Sequence, residues 1–316
     1  MAQTSAPRRR SRRKQAPLEE TANLSPPVWP GVEGGRYRPL SDSGLERMHS
    51  TVLDLLERVG LSQAIPSMVE KVTAKGGKLT DDGRLLFPRA LVEDVIANAR
   101  KSFVMHARNE QQDMQVGGSR VFVGSGGAAP NIIDLETGKY RETTLRDLYD
   151  AARLVDTLDN IHFYHRSLVA RDCPDAWSVD LNTAYACVAG TSKHIGMSFF
   201  DPEHVVKITE FFDQIAGGPG EFSKRPFCSL LSTHVVPPLR FAEESCAVAE
   251  VGVRLGYPVQ LISAGQAGAT SPVTLAGSVA QSVAESLAGV VFCYLIDNNA
   301  KPCLLYTSDA ADDTSE

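Results

Sequence analysis

The apolar residues between positions 43 and 99 recur at helical spacing. Leu45, Met48, Val52, Leu55, Leu56 and Val59 make one stripe, because residues three and four apart share a helix face. Ser43 and Glu46 stand in an S-x-x-E relation that predicts a capping box, and Gly60 predicts the stop. A second helix is expected over about 63–75, ending at Gly76-Gly77, and a third over 88–99 with Pro88 at its first position. Asp82-Gly83 between them signals a hairpin. Residues 37–115 therefore read as a small, mainly helical N-terminal domain.

From Arg120 onward short apolar runs alternate with longer amphipathic ones. Strands are expected at 121–124, 160–165, 194–200, 226–232 and 258–263. Helices are expected at about 145–158, 178–190, 202–215, 241–255 and 272–294, with Asp201-Pro202 and Ser271-Pro272 as cap-plus-proline starts. Near-continuous apolar strands alternating with helices argue for an α/β protein with a parallel sheet. "VFVGSGGAA" formally matches a dinucleotide-binding glycine pattern. No helix opens behind it, however; Pro130 and a hairpin-like stretch through Glu136-Thr137-Gly138 follow, so no helix N-terminus is there to receive a pyrophosphate. Five evenly spaced units over 116–302 fit an incomplete (β/α)8 TIM barrel, the first five βα units of the fold.

Charge and cysteine usage narrow the class. The 316 residues carry a net charge of −6, but six of the basic residues lie in "RRRSRRK" at 8–14. The body is thus acidic, which argues against nucleic acid as a partner. The first 36 residues read as a disordered basic and Pro-rich tail; a nucleic-acid or membrane-surface arm is the other reading of that run. No apolar stretch follows the arginines as a secretory signal requires, and the run Leu287–Ile296 is far short of the ~20 residues of a spanning helix. The six cysteines include no C-x-x-C pair, so neither a metal site nor a disulfide framework is expected, and a cytoplasmic location fits. "CLLYTSDAADDTSE", residues 303–316, breaks the pattern. One encoding of Cys303–Asp312 resembles the adaptor used in transposon-based sequencing libraries, so this tail is expected to be non-native and the natural chain to continue.

Three stretches carry a family resemblance: "GGRYRPLSDSGLERMHSTVLDLLERVG" (34–60), "GSGGAAPNIIDLETGKYRETTLRDLYDAARLVDTLDNI" (124–161) and "PVQLISAGQAGATSPVTLAGSVAQSVAESLAG" (258–289). In this order they resemble the trimethylamine methyltransferase family, amine:corrinoid methyltransferases with a barrel fold. The resemblance implies transfer of a methyl group from a methylated or quaternary amine, trimethylamine or glycine betaine-like, to the cobalt of a corrinoid. The corrinoid is carried by a cognate partner protein, so no cofactor is bound directly. It further implies a homo-oligomeric full-length protein, and catalytic residues beyond the residues in hand. A non-catalytic barrel that binds quaternary amines or docks a corrinoid protein is the alternative.

In a barrel the site is built by the loops after the strand C-termini. Aromatic faces hold an onium cation, at ~0.5–2 kcal/mol each, which makes Tyr164, Phe199 and Phe200 candidates; strand alternation lets only one of the two phenylalanines face inward. His165, Asp172, Ser232, His234 and Gln266 are the polar candidates for an ammonium or a carboxylate. His106, His162 and His204 are set aside as lying away from the mouth. The small residues Gly124, Ser125, Gly126, Gly127, Gly265, Gly268, Thr270 and Ser271 are expected to line a low-walled entrance. Each of these residues also fits an ordinary packing or loop role.

Overall fold

The computed structural model describes residues 31–35 and 37–304; the basic run at 8–14 and the segment from 305 onward lie outside them. Helix α1 (Asp42–Asp54) is capped by Ser41, not Ser43: the Ser41 Oγ accepts the Gly44 N–H at 3.1 Å. Starting two residues early puts the Asp42 carboxylate in the first turn, where the helix dipole favours it. A π-helical turn, Leu55–Val59, carries the helix to Gly60 at φ +63°, where a Cβ would collide with the Leu85 carbonyl. Helix α2 (Pro66–Thr73) begins later than its pattern suggests, because Leu61–Ser62 is drawn into a strand and Pro66 takes the first turn. Pro88 is the N-cap of α3 (Arg89–Asn98) rather than its first residue. The hairpin turns at Gly83 as expected, pairing Lys78–Leu79 with Arg84–Leu86.

This N-terminal unit does not bury its apolar stripe by itself. Its strands at 61–62 and 84–86 share a sheet with Arg240–Phe241 and Val235–Val236 from the second half of the chain. Val52, Leu56, Met68, Leu85 and Val92 pack into one core with Phe241, Ala284, Ala288 and Phe292.

The second half holds a five-stranded parallel sheet: β1 (Phe163–His165), β2 (His194–Met197), β3 (Cys228–Ser232), β4 (Val259–Leu261) and β5 (Pro302–Leu304). Each strand pairs with the next in chain order. Residues 123–125 extend the sheet at the β1 edge through a parallel bridge from Gly124 to Phe163 and the His162 N–H···O=C Val123 bond of 2.7 Å. The expected first strand at 121–124 is otherwise split, since Arg120–Val121 pairs antiparallel with Val32–Glu33. Strand β5 crosses the boundary drawn at Cys303 in the sequence reading.

Alternation assigns the two faces of the sheet. Tyr164, Ile195, Met197, Cys228, Leu230, Val259 and Leu261 point into a core covered by helices α4 (Leu145–Asp156), α5 (Ala176–Gly190), α6 (Pro202–Ala216), the short α7 (Glu221–Lys224) and α8 (Glu243–Arg254). Thr144 and Asp147 form a full capping box on α4. Lys193, buried at the entry to β2, donates to the carbonyls of Val155, Leu158 and Ile161 at 2.7 Å each. Its charge thus meets the negative end of α4 and ties that helix to the sheet. Helix α9 (Leu275–Ile296) joins the two cores, contributing Ala280, Ala284, Ala288, Val291 and Phe292 to one and Cys293 to the other. By length and composition α9 could cross a membrane, but here it buries Ser278, Gln281 and Glu285 along with its apolar residues. Cys173, Cys187, Cys228, Cys246 and Cys293 are free thiols; burial pushes Cys187, Cys246 and Cys293 up to about 12, which leaves them as unreactive core residues.

Candidate functional site

The inner face of the sheet carries Phe163, His165, His194, Gly196, Ser229 and Gln260. At the strand N-termini it is plugged by the hairpin Phe103–Met105/Met114–Val116, which packs Phe103, Met105 and Met114 on Phe163. The His194 Nδ1–H donates to the His106 carbonyl at 2.7 Å, leaving a buried Nε2 without a hydrogen-bond partner. Burial holds the His194 imidazole down to about 3, so it is neutral. The hairpin covers the inner face at that end, and the strand C-termini gather at the opposite rim.

One polar band crosses the inner face toward that rim. His165 Nε2 lies 2.7 Å from Gln260 Oε1, Gln260 Nε2 donates to Ser229 Oγ at 2.6 Å, and Ser229 Oγ donates to the Ile195 carbonyl at 3.4 Å. Ser125 Oγ accepts the His165 N–H at 2.8 Å and donates to its carbonyl at 2.9 Å, fixing β1 to the 123–125 segment. Burial lowers the His165 pKa, with Gln260 and the Ser125 backbone opposing. The band is therefore neutral at physiological pH: it can accept and donate hydrogen bonds but presents no formal charge. Gly196 makes room for it, since a Cβ there would run into the His165 ring. Gly196→Ala is expected to push the imidazole off Gln260 and lower stability by about 1–3 kcal/mol, measured by urea unfolding; an unchanged midpoint would show that the ring has space to yield.

Among the sequence candidates, His165 is the one whose side chain lies in this band. Tyr164 faces the opposite way: it is fully buried against α4, its hydroxyl 3.3 Å from the Leu148 carbonyl and 3.0 Å from Ser167 Oγ, and burial raises its phenol well above the usual range. Period-two alternation puts neighbours on opposite faces, so His165 inside requires Tyr164 outside. Phe199 likewise packs among the outer helices, whereas Phe200 stands 55% exposed at the rim. Asp172 accepts the Leu145 N–H at 2.8 Å and serves the start of α4. Ser232 turns outward to the Ser245 carbonyl at 3.5 Å, and His234 is buried under α9 with Nε2 2.9 Å from the Glu285 carbonyl.

The small-residue loop leaves β4 on the same rim as the other strand ends, because β4 is parallel to β3. It folds back on itself. The Gln266 carbonyl accepts the N–H groups of Ala269, Thr270 and Ser271, Thr270 Oγ1 accepts the Gln266 N–H at 2.9 Å, and Gly268 takes φ +83°. Gly265 lies against Ser271, whose hydroxyl is 2.6 Å from Ser278 Oγ. Ser271 is thus spent on closing the loop, and Thr274 caps α9 in its place. Part of the Gly/Ala content is explained by this tight return, yet residues 266–269 remain exposed. Across the rim, Gly126 and Gly127 have nothing within 4 Å of where a Cβ would sit, while Gly124 is pressed on the Phe163 ring.

Sequence reasoning missed Gln260 and Asp180 and set His204 aside. Asp180 Oδ2 accepts His204 Nδ1–H at 2.7 Å and Phe200 N–H at 2.9 Å behind the rim. The signal available was an acid on the otherwise apolar stripe of α5, and a Gln in the middle of "PVQLIS". Among the described residues no group of three or more His, Cys, Asp or Glu side chains could hold a metal ion.

The fold and site define a mixed α/β protein with a parallel sheet and a neutral polar band beneath its rim. The chain belongs to the trimethylamine methyltransferase (MTTB) family, whose model matches residues 6–310. It is 30% identical over 272 residues to trimethylamine methyltransferase MttB of Desulfitobacterium hafniense (strain DSM 10664 / DCB-2), covering 85% of this chain and 54% of that protein. It is 26% identical over 280 residues to glycine betaine methyltransferase of Desulfitobacterium hafniense (strain Y51), covering 88% and 57%. It is also 26% identical over 277 residues to trimethylamine methyltransferase MttB of Methanosarcina thermophila, covering 85% and 57%. The chain spans about half the length of the curated relatives it matches.

Proposed function

We propose that this chain supplies the N-terminal unit and the first strands of a (β/α)8 barrel that transfers a methyl group from a methylated or quaternary amine to the cobalt of a corrinoid held by a partner protein. The strictly sequential order of the parallel strands supports the barrel, since doubly wound sheets reverse their order at a switch point. The observation that carries the function is the family match along nearly the whole chain, to proteins acting on trimethylamine or glycine betaine.

The rim suits the chemistry. For a quaternary amine, or trimethylamine in its protonated form, the C–N bond breaks with its electron pair staying on nitrogen while the Co(I) pair forms the bond to the methyl carbon, and a neutral amine leaves without a proton having to move. A site for it needs to hold an onium without a charged acid–base relay. The neutral His165–Gln260–Ser229 band and the exposed Phe200 ring meet that need. The exposed small residues at 126–127 and 266–269 leave the wall low for a planar corrinoid to approach.

The test uses the chain joined to its downstream coding sequence, with a Co(I) corrinoid protein and with trimethylamine or glycine betaine supplied separately. Loss of Co(I) absorbance with one amine supports the assignment and names the substrate. Saturable amine binding with no transfer to any corrinoid acceptor would overturn it in favour of a non-catalytic binding barrel.

A further inference from the structure

The rim turn Ser198–Asp201 is held from behind by groups on three different elements. Asp180, on α5, is fully buried. Its Oδ2 accepts the Phe200 N–H at 2.9 Å and His204 Nδ1–H, from the first turn of α6, at 2.7 Å. Arg166 directly follows β1. Its N–H donates to the Gly196 carbonyl at 2.9 Å and its guanidinium to Ser198 Oγ at 3.0 Å. The Arg166 charge lies against Asp180, though the two form no direct ion pair. Trp177, one turn before Asp180 on α5, stacks edge-on against His204 with ring centres 5.1 Å apart. Asp180 Oδ1 and Thr183 Oγ1, three residues apart on the same helix face, are both buried without a hydrogen-bond partner among the described residues.

A fully buried carboxylate is costly, and burial raises the Asp180 pKa while the Phe200 amide, His204 and Arg166 oppose the rise. A hydrophobic residue would fill that place in α5 with less cost. What the carboxylate does there is grip the backbone of an aromatic residue whose side chain is 55% exposed. The Phe200 ring belongs to none of the apolar cores among the described residues, so its direction depends on the turn beneath it.

We propose that Asp180 and Arg166 are positioning residues that clamp the turn after β2, Asp180 through the Phe200 N–H and Arg166 through Ser198 Oγ, and so aim the Phe200 ring over the rim. The use of that ring for an onium ligand rests on the function proposed above; the clamp itself does not. A backbone held by a buried charge presents an exposed aromatic at a fixed angle, which lowers the ordering cost of a cation–π contact.

The test compares Asp180→Leu, which keeps the branched shape with bulkier ends and removes the acceptors, Asp180→Asn, which retains one oxygen, and Ser198→Ala, which releases Arg166. Amide hydrogen exchange is followed at Phe200 and, as the internal control, at Ile195 and Met197 in β2. Loss of the charged acceptor is expected to speed Phe200 exchange roughly 10-fold or more in Asp180→Leu, less in Ser198→Ala, with the β2 amides unchanged and Asp180→Asn partly restored. Unchanged Phe200 exchange in Asp180→Leu, or an equal loss of protection throughout β2, overturns the proposal. If Asp180→Leu does not fold, Ser198→Ala decides it: no change at Phe200 there overturns the clamp. Tetramethylammonium titration separates the two claims. Weaker binding by Phe200→Ala and by the clamp variants supports both, whereas undiminished binding by Phe200→Ala sinks the onium reading and leaves the clamp to the exchange data.

Discussion

Lowering the pH from 6.5 to 5 is expected to cost this protein roughly 2 kcal/mol through His194 alone, at about 1.4 kcal/mol per pH unit for each proton that only the unfolded chain binds. His194 is fully buried, its Nδ1–H is committed to the His106 carbonyl, and burial holds its pKa down to about 3. Between that value and the ordinary 6.5 the unfolded state takes up a proton that the folded state refuses. Stability therefore falls as pH falls through this window. His165 and His234 act in the same direction, since burial lowers both. Asp180 acts in the opposite direction: its pKa is raised, so the folded state binds the extra proton above 3.8 and the loss is partly offset. Urea unfolding at pH 7, 6 and 5 checks the slope. His194→Asn retains a donor toward His106 and is expected to flatten the slope by about 1.4 kcal/mol per unit; the same slope in that variant would remove His194 as the cause.

Glu285→Ala is expected to be the most damaging single change at the rim, at roughly 3–5 kcal/mol. Glu285 is fully buried in α9. Its Oε1 accepts the Leu239 N–H at 2.7 Å and the Gln281 side-chain amide at 3.0 Å, and Oε2 accepts Ser263 Oγ–H. Gln281 in turn donates to the Thr270 carbonyl at 2.9 Å. One carboxylate thus ties α9, the turn at Leu239 and both ends of the small-residue loop. Alanine would strand the buried Leu239 N–H and take one acceptor each from the Gln281 amide and the part-buried Ser263 hydroxyl. Glu285→Gln keeps one acceptor oxygen and is expected to cost about half as much or less. Unfolding free energies of the two variants check the order. A Glu285→Ala variant within ~1 kcal/mol of the parent would show that water replaces the carboxylate and that the loop does not depend on it.

Local patterns decided the kind and order of elements. The first helix and the Asp201-Pro202 start each lie within a few residues of the chain, and both are where they were expected, although Leu45 at the head of the stripe stays exposed. Signals of equal local strength failed where a long-range partner competed. Ser43 and Ser271 are good caps by type, but Ser41 took the first role and closure of the rim loop took Ser271 from the second. Residues 63–65, expected in the second helix, stay outside it, because Leu61–Ser62 is held in a strand by residues 84–85 and 240.

By itself, the sequence determined the alternation of apolar strands with helices, which follows from spacing along each segment, and the family, through the likeness of three stretches; it offered both Tyr164 and His165 as candidates. Only the tertiary structure decided which of the two faces inward, that Gln260 and Ser229 complete the band, and that Asp180, His204 and Arg166 converge behind Phe200. Those pairings join residues 20 to 95 positions apart in sequence. The direction of a side chain across a sheet is set by which face the helices bury, and that is a property of the assembled layers rather than of any stretch of chain.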